Sequence, residues 1–247
     1  MTTREIPAAG SVQAGILKAA IFDVDGVLLA SPHERAWRDA LRGFGNADRF
    51  TTAMYQAVVA GKPRLSGARA ALAALGVPDA AGKAEAYAEQ KQKRLEELVA
   101  DGSVRAFPDA LRLVQAVAEL GWPIAVASSS KNANGMMRSI RLASGKSLLD
   151  MFGANICGRD LPRGKPDPSI FLLAASELGV EPRHCFVAED APAGIEAACA
   201  GHMAGLGVAR HDDAAGLQKA GATIVVTSLD EVSVDELAKG RLLRRSL

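Results

Sequence analysis

Four short segments place oxygen and nitrogen side chains where an apolar run ends. The first, AIFDVDGVLL over residues 20–29, sets Asp23 and Asp25 two positions apart. Alternate strand residues share a face, so both carboxylates can enter one site while Val24 turns away. Gly26 then permits a sharp turn and a close backbone approach. Two carboxylates in contact repel, which asks for a cation or a shared proton, although Asp and Gly are also ordinary turn formers after a strand. In the second segment, AVASSSKNA, an apolar run ends at Ser128 and a hydroxyl-rich turn opens onto a helical pattern. Free N–H groups and the positive end of a helix there suit an anion. Ser128 is thus a candidate phosphate ligand, with the Ser129 amide beside it and Ser130, Lys131 and Asn132 reaching toward whatever carries the phosphate. Ser and Asn serve equally as helix caps. In the third, LPRGKPDPSIF, Lys165 lies between a glycine and a proline, a stiff frame from which an ammonium could neutralise a nucleophile and transferring phosphoryl oxygens. The fourth, CFVAEDAPAGIEAA, ends a run in Glu189 and Asp190 before a helix start. Acids are favoured there whatever the function, but with Asp23 and Asp25 they complete an oxygen-rich set of the kind Mg²⁺ takes.

The elements that must position these residues alternate. Apolar strand-like runs recur at 18–24, 123–128, 185–189, 204–209 and 222–227, and helix-like patterns lie at 109–120, 131–142, 168–178, 192–200 and 214–219. This rhythm predicts an α/β fold, a Rossmann-like open parallel sheet with helices on both faces. In such a sheet all four segments reach one edge, where ligands bind. Residues 32–106 break the rhythm and read as a small helical cap domain inserted after the first strand, so the core domain is expected over 18–31 and 107–247, behind an N-terminal tail of 1–17. Within the cap, 84–100 reads as a solvated helix with Leu95, Leu98 and Val99 inward. The basic GRLLRRSL terminus reads as a fraying helix end.

A chain of 247 residues with a formal net charge of +1 has ample length for a core and no field to draw nucleic acid or an anionic membrane. A small-molecule substrate is the expectation. Cys157, Cys185 and Cys199 lack CxxC spacing and lie in apolar or Ala-rich stretches, which predicts reduced core thiols. No compact apolar leader opens the sequence and no stretch approaches a membrane span. A soluble, cytoplasmic protein is expected.

FDVDGVL, SSSKN, GKPDPSIF and EDAPAGIEAA, in this order, resemble the four motifs of the haloacid dehalogenase superfamily of phosphotransferases, and the helical insertion is similar to that of its β-phosphoglucomutase group. The resemblance implies that Asp23 becomes an aspartyl phosphate, that Asp25 is the acid/base, and that Ser128 and Lys165 grip the transferring phosphate. It implies Mg²⁺ held by Asp23, Asp190 and the Asp25 carbonyl, with Glu189 acting directly or through water. Arg64, in GKPR after Lys62, matches the group's cap arginine, whose fork suits a second phosphate. Lys91 matches the cap lysine, with Gln92 in place of the usual Asn, although a solvated helix face is the other reading of Lys91. His33 resembles the His that couples cap closure to the acid/base Asp. The loop before it is two residues short, with Ser31 for the customary Thr, and 142–165 is longer than usual. The expectation is a monomeric Mg²⁺-dependent sugar-phosphate phosphotransferase, converting β-glucose 1-phosphate to glucose 6-phosphate. A phosphatase of a sugar or polyol phosphate is the alternative, and a non-catalytic sugar-phosphate sensor a third reading.

Overall fold

In the computed structural model of the chain, residues 16–211 and 213–245 are described. The first fifteen residues of the expected tail lie outside them. The elements follow in the order β1 (Ala19–Phe22), β2 (Leu29–Ala30), α1 (His33–Asp39), α2 (Thr52–Val58), α3 (Arg64–Ala74), α4 (Ala80–Ala100), β3 (Arg105–Ala106), α5 (Pro108–Glu119), β4 (Ile124–Val126), α6 (Ala133–Ser139), β5 (Ala154–Asn155), α7 (Ser169–Leu178), β6 (Cys185–Glu189), α8 (Pro192–Ala200), β7 (Ala204–Val208), α9 (Ala214–Lys219), β8 (Ile224–Val226) and α10 (Val234–Ala238).

Six strands form one parallel sheet in the order β5-β4-β1-β6-β7-β8. From β1 the chain winds out to β5, returns, and winds the other way from β6, so the direction reverses between β1 and β6. A crevice opens at that reversal, beyond the carboxyl ends of the strands. Both sheet faces are covered, which is why the strands read as unbroken apolar runs. Ala20 and Phe22 join Val126, Phe186 and Leu206 on one face; Ala19 and Ile21 join Ala125, Val187 and Phe171 on the other.

Helices α1 to α4 fall between β2 and β3, which pair antiparallel with Leu29 opposite Ala106 and Ala30 opposite Arg105. These helices have a core of their own, built on Trp37, Leu41, Phe50, Leu72 and Tyr87. The Tyr87 hydroxyl donates to the Trp37 carbonyl at 2.8 Å, and the two rings lie 5.2 Å apart. A buried aromatic with its polar end satisfied costs roughly 3–5 kcal/mol to truncate.

Four details differ from the sequence reading. The 142–165 stretch contains β5, two residues without an apolar run, and a helical turn at Leu148–Met151. The helix expected over 131–142 is confined to Ala133–Ser139. The basic run is not a fraying helix end over its described residues 240–245: Leu242 is buried, Arg244 bridges to Val232, and its Nε donates to the Val225 carbonyl at 2.9 Å. The Arg241 and Arg244 side chains there are spent on the Val225 carbonyl and on Glu236 and Glu231. Cys157 and Cys185 are core thiols, but Cys199 is exposed on α8, where it faces the Gly221 carbonyl. Ile195, Ala197 and Ala198 take the buried side of α8 and leave Cys199 on the outer one. Among the described residues, no helix is long and apolar enough to cross a membrane.

Candidate active site

Strand β1 delivers Asp23 to the crevice, its N–H bonded to the Ala188 carbonyl of β6 at 3.0 Å. The chain turns at once, with Leu28 and Leu29 N–H groups both returning to the Val24 carbonyl. Gly26 has φ +80°, and a Cβ there would stand 2.0 Å from Asp190 Oδ2. Only glycine therefore lets the Asp190 carboxylate lie against this turn. At the end of β6, Glu189 is fully buried, in a space that a side chain at Gly194 of α8 would fill.

Lys165 joins the strands. Its buried Nζ donates to Asp23 Oδ1 at 2.5 Å and to Glu189 Oε1, and lies 4.9 Å from the centre of the Phe171 ring. The Lys165–Pro166 peptide is cis. Burial pulls the Lys165 ammonium downward, but Asp23 and Glu189 more than offset it and hold the group above its usual range. The carboxylates are pushed up. Burial raises Asp190 well above an ordinary carboxyl, and Glu189 and Asp23 add to it; Glu189 rises to about 7 by burial. Asp23 is raised by burial, against Lys165 and with Asp25. Such crowding is what a divalent cation relieves. Asp23, Glu189 and Asp190 each offer a carboxylate oxygen within 4.8 Å of the others, a hard donor set that fits Mg²⁺. Glu189 is largely committed elsewhere, since its Oε2 also accepts the Asp190 and Ala191 N–H groups. Asp23 and Asp190 are the freer ligands.

Asp25 stands apart from Lys165. Its Oδ1 is buried without a hydrogen bond, and His33 Nε2 lies 3.5 Å from it. Burial raises its pKa, opposed by a hydrogen bond from Ser31 and by the charge of Lys91. A carboxyl whose hold on its proton is strengthened by burial is the better suited to general acid work.

The helices close the other side. Lys91 is not on a solvated face, as one reading had it: α4 turns it inward, where Nζ lies 2.8 Å from His33 Nδ1 and 5.0 Å from the Trp37 ring centre. Burial lowers Lys91 to about 7, with Asp25 opposing and Arg64 assisting. His33 is held well below its usual value by burial, then by Lys91, so the ring is neutral. An ammonium can only donate, so wherever Lys91 holds its proton the Nδ1 accepts and Nε2 carries the hydrogen. That N–H points to Asp25 and to Ser130 Oγ, 3.3 Å away.

The hydroxyl-rich turn after β4 is fastened to the helices. Ser129 Oγ donates to the Gly61 carbonyl at 3.3 Å, and the Asn132 and Gln92 amides exchange hydrogen bonds at 3.0 and 3.2 Å. Ser128 is buried and accepts the Ser130 N–H at 3.1 Å, leaving its own hydroxyl hydrogen for another acceptor. Asn132 precedes α6 without capping it through its side chain.

A cavity of about 310 Å³ lies between these two sides, at the small end of ligand pockets. Asp23, Asp25, His33, Arg64, Lys91, Ser128, Ser129, Ser130, Lys131, Asn132, Lys165 and Asp190 all line it; of the expected site residues only Glu189 is set behind. Arg64 is exposed at the start of α3. Lys131 is at the rim in an exposed ion pair with Asp160, and Lys62 turns back to the Val58 carbonyl. Sequence reading missed Tyr55, which also lines the cavity. Burial, then Asp190, Asp25, Glu34 and Asp23, pushes its hydroxyl well above its usual range. A lone Tyr in a cap helix gives no signal of this. Arg163, beside Gly164, lines the cavity as well and carries no motif of its own in the sequence.

Comparison with known proteins adds to this geometry. Residues 17–202 match the model of the haloacid dehalogenase-like hydrolases. The chain is 34% identical to the β-phosphoglucomutase of Mycobacterium tuberculosis, over 87% of this chain and 91% of that one. It is 29% identical to hexitol phosphatase A of Escherichia coli, over 92% and 98%. Among solved structures it is similar to the archaeal β-phosphoglucomutase of a Pyrococcus species, with a TM-score of 0.71 and 32% identity over 90% of this chain and 97% of that one.

Proposed function

Because the chain belongs to the haloacid dehalogenase-like hydrolase family, we propose that it is a Mg²⁺-dependent sugar-phosphate phosphotransferase of β-phosphoglucomutase type, working through an aspartyl phosphate on Asp23. The observation that carries this reading is the meeting of Asp23, bonded to Lys165, with the unsatisfied oxygen of Asp25 in one cavity.

The Asp23 carboxylate attacks phosphorus, and the bond to the sugar oxygen breaks as Asp25 gives its proton to that oxygen. In the second half a sugar hydroxyl attacks the same phosphorus, Asp25 takes its proton back, and Asp23 is released. A carboxylate nucleophile divides one difficult transfer into two, and each half depends on positioning and charge neutralisation. Lys165 keeps Asp23 ionised and supplies positive charge beside it. Ser128 Oγ and the Ser129 N–H hold phosphoryl oxygens. His33 keeps its Nε2–H turned toward Asp25. Mg²⁺, held by Asp23 and Asp190 with Glu189 behind them, would supply further charge neutralisation. Arg64 and Lys91 face the rest of the substrate, and Arg64 at the mouth suits a second phosphate. The reading includes a single-chain, cytoplasmic enzyme; three unpaired thiols are consistent with that compartment.

Phosphate release to water is the second reading, favoured by the similarity to hexitol phosphatase A along nearly the whole of both chains. One assay separates them. With Mg²⁺, β-glucose 1-phosphate and a trace of glucose 1,6-bisphosphate, glucose 6-phosphate should form without inorganic phosphate. Release of phosphate alone makes the protein a phosphatase. Asp23→Asn should lose turnover by roughly 10³-fold or more; full turnover would end the proposed mechanism, and intact ligand binding without wild-type turnover would favour a sensor.

A further inference from the structure

Arg210 lies just past β7, outside all four motifs, and is spent on two separate stretches of chain. Its Nε donates to the Gly26 carbonyl and one Nη to the Val27 carbonyl, each at 3.3 Å. The same guanidinium grips Asp109 bidentately at 2.7 and 3.2 Å and lies 3.9 Å from the centre of the Phe107 ring. Both partners of the ion pair are close to fully covered, with side-chain exposures of 12% for Arg210 and 8% for Asp109. Asp109 is fixed in turn from the far side by the Ser228 hydroxyl at 2.9 Å and the Leu229 N–H at 2.8 Å.

Both stretches matter for placing Asp25. Gly26 and Val27 are the peptides that follow it directly. Phe107 follows β3, and its N–H bonds the Leu28 carbonyl where the helical segment rejoins the sheet. Two carbonyls at the outer side of a tight turn would otherwise go to water. A planar fork with several donors can take both and a carboxylate at once, which a lysine cannot.

We propose that Arg210, held by Asp109, is a positioning residue: it clamps the turn after Asp25 to the root of the helical segment and so sets the direction of the Asp25 carboxyl toward the leaving oxygen. This rests on the acid/base reading of Asp25 given above. Loss of the clamp leaves the cavity walls and the phosphate-gripping groups in place, so binding persists while proton transfer is misdirected. Misplacement by about 1 Å can cost 10²-fold in rate.

The test is a KM-against-kcat split on the full-length enzyme with Mg²⁺, using β-glucose 1-phosphate and p-nitrophenyl phosphate. Arg210→Lys keeps the charge opposite Asp109 but cannot reach both carbonyls. It should fold and lower kcat at least tenfold with KM within threefold of wild type. Leu237→Ala, a core truncation in α10, controls for loss of stability alone and should keep kcat. A folded Arg210→Lys enzyme with kcat within twofold of wild type overturns the proposal. If Arg210→Lys does not fold, Asp109→Asn, which removes the charge that holds the guanidinium against the turn, takes its place under the same criterion. Wild type and Asp23→Asn are scored first: a wild type without activity on either substrate overturns the reading of the site and the clamp's catalytic role with it, whereas an active wild type beside an unaffected clamp variant overturns the clamp alone.

Discussion

Lys91 offers a perturbation whose size can be worked out in advance. Burial lowers it from 10.5 to about 7. The groups facing it are Asp25, which opposes the shift, Arg64, which assists it, and the neutral ring of His33. Between pH 7 and 10.5 the unfolded chain carries a proton on this lysine that the folded protein has shed. The unfolded state thus binds more protons, and stability rises with pH across this window; below pH 7 the cost of the buried charge is fully present. At about 1.4 kcal/mol per pH unit the whole effect is at most about 5 kcal/mol, and between pH 7 and 9.5 about 3 kcal/mol. Lys91→Met keeps the aliphatic stem against Trp37 and removes the titration. It also deprives His33 Nδ1 of its donor, a cost of about 1–3 kcal/mol that does not vary with pH over this range. Urea unfolding of the two proteins at pH 7 and 9.5 gives the comparison. The difference in stability, mutant minus wild type, should fall by about 3 kcal/mol from the lower to the higher pH. Parallel pH profiles would mean that Lys91 is hydrated and ordinary, and the account of its burial against His33 and Trp37 would fall.

Further outcomes follow from other contacts. A Cβ on Gly164 would stand 2.3 Å from the Pro63 ring, so Gly164→Ala should push the Gly61–Arg64 loop off the cavity and raise KM at least fivefold; an unchanged KM would show that the loop does not need this approach. Chelation should abolish turnover and Mg²⁺ restore it, and Asp190→Asn should raise the half-saturating Mg²⁺ concentration tenfold or more; an unshifted titration would remove Asp190 from the ligand set. Burial holds the thiols of Cys157 and Cys185 at about 12, so an aromatic disulfide reagent should label one thiol, Cys199, in the native protein and three in denaturant; two or more fast native sites would contradict the burial described here.

The parallel sheet was legible because both of its faces are buried, which writes each strand as a continuous apolar run with chemistry at its end. Asp23, Asp25, Lys165 and Asp190 were legible for the same reason: each follows such a run or a glycine-proline frame. β5 was invisible because two residues, Ala154 and Asn155, carry no periodicity. Lys91 could be read two ways, since a helix rich in Glu, Gln and Lys looks solvated all round and only tertiary packing turns one lysine inward. Gln92, Tyr55 and Arg210 gave no local signal. Their partners, Asn132, the cavity and the Gly26 turn, are distant in sequence, and no spacing rule reaches across that distance. The tail was misread because a basic run looks solvated until its backbone partners, here Val225 and Val232, are known.

The pairing of β2 with β3 bears on more than the placing of one cavity wall. With Leu29 opposite Ala106 and Ala30 opposite Arg105, the chain leaves the sheet domain and comes back to it at the same spot. An antiparallel pair of this kind can be joined by a two-residue turn, so everything between Ala30 and Arg105 is, topologically, a long ornament on a hairpin. The winding of the six-stranded sheet does not pass through it. Such an arrangement lets the reacting groups at the strand ends persist while the ornament is lengthened, shortened or exchanged, and a change of substrate then requires no change in how the central sheet folds.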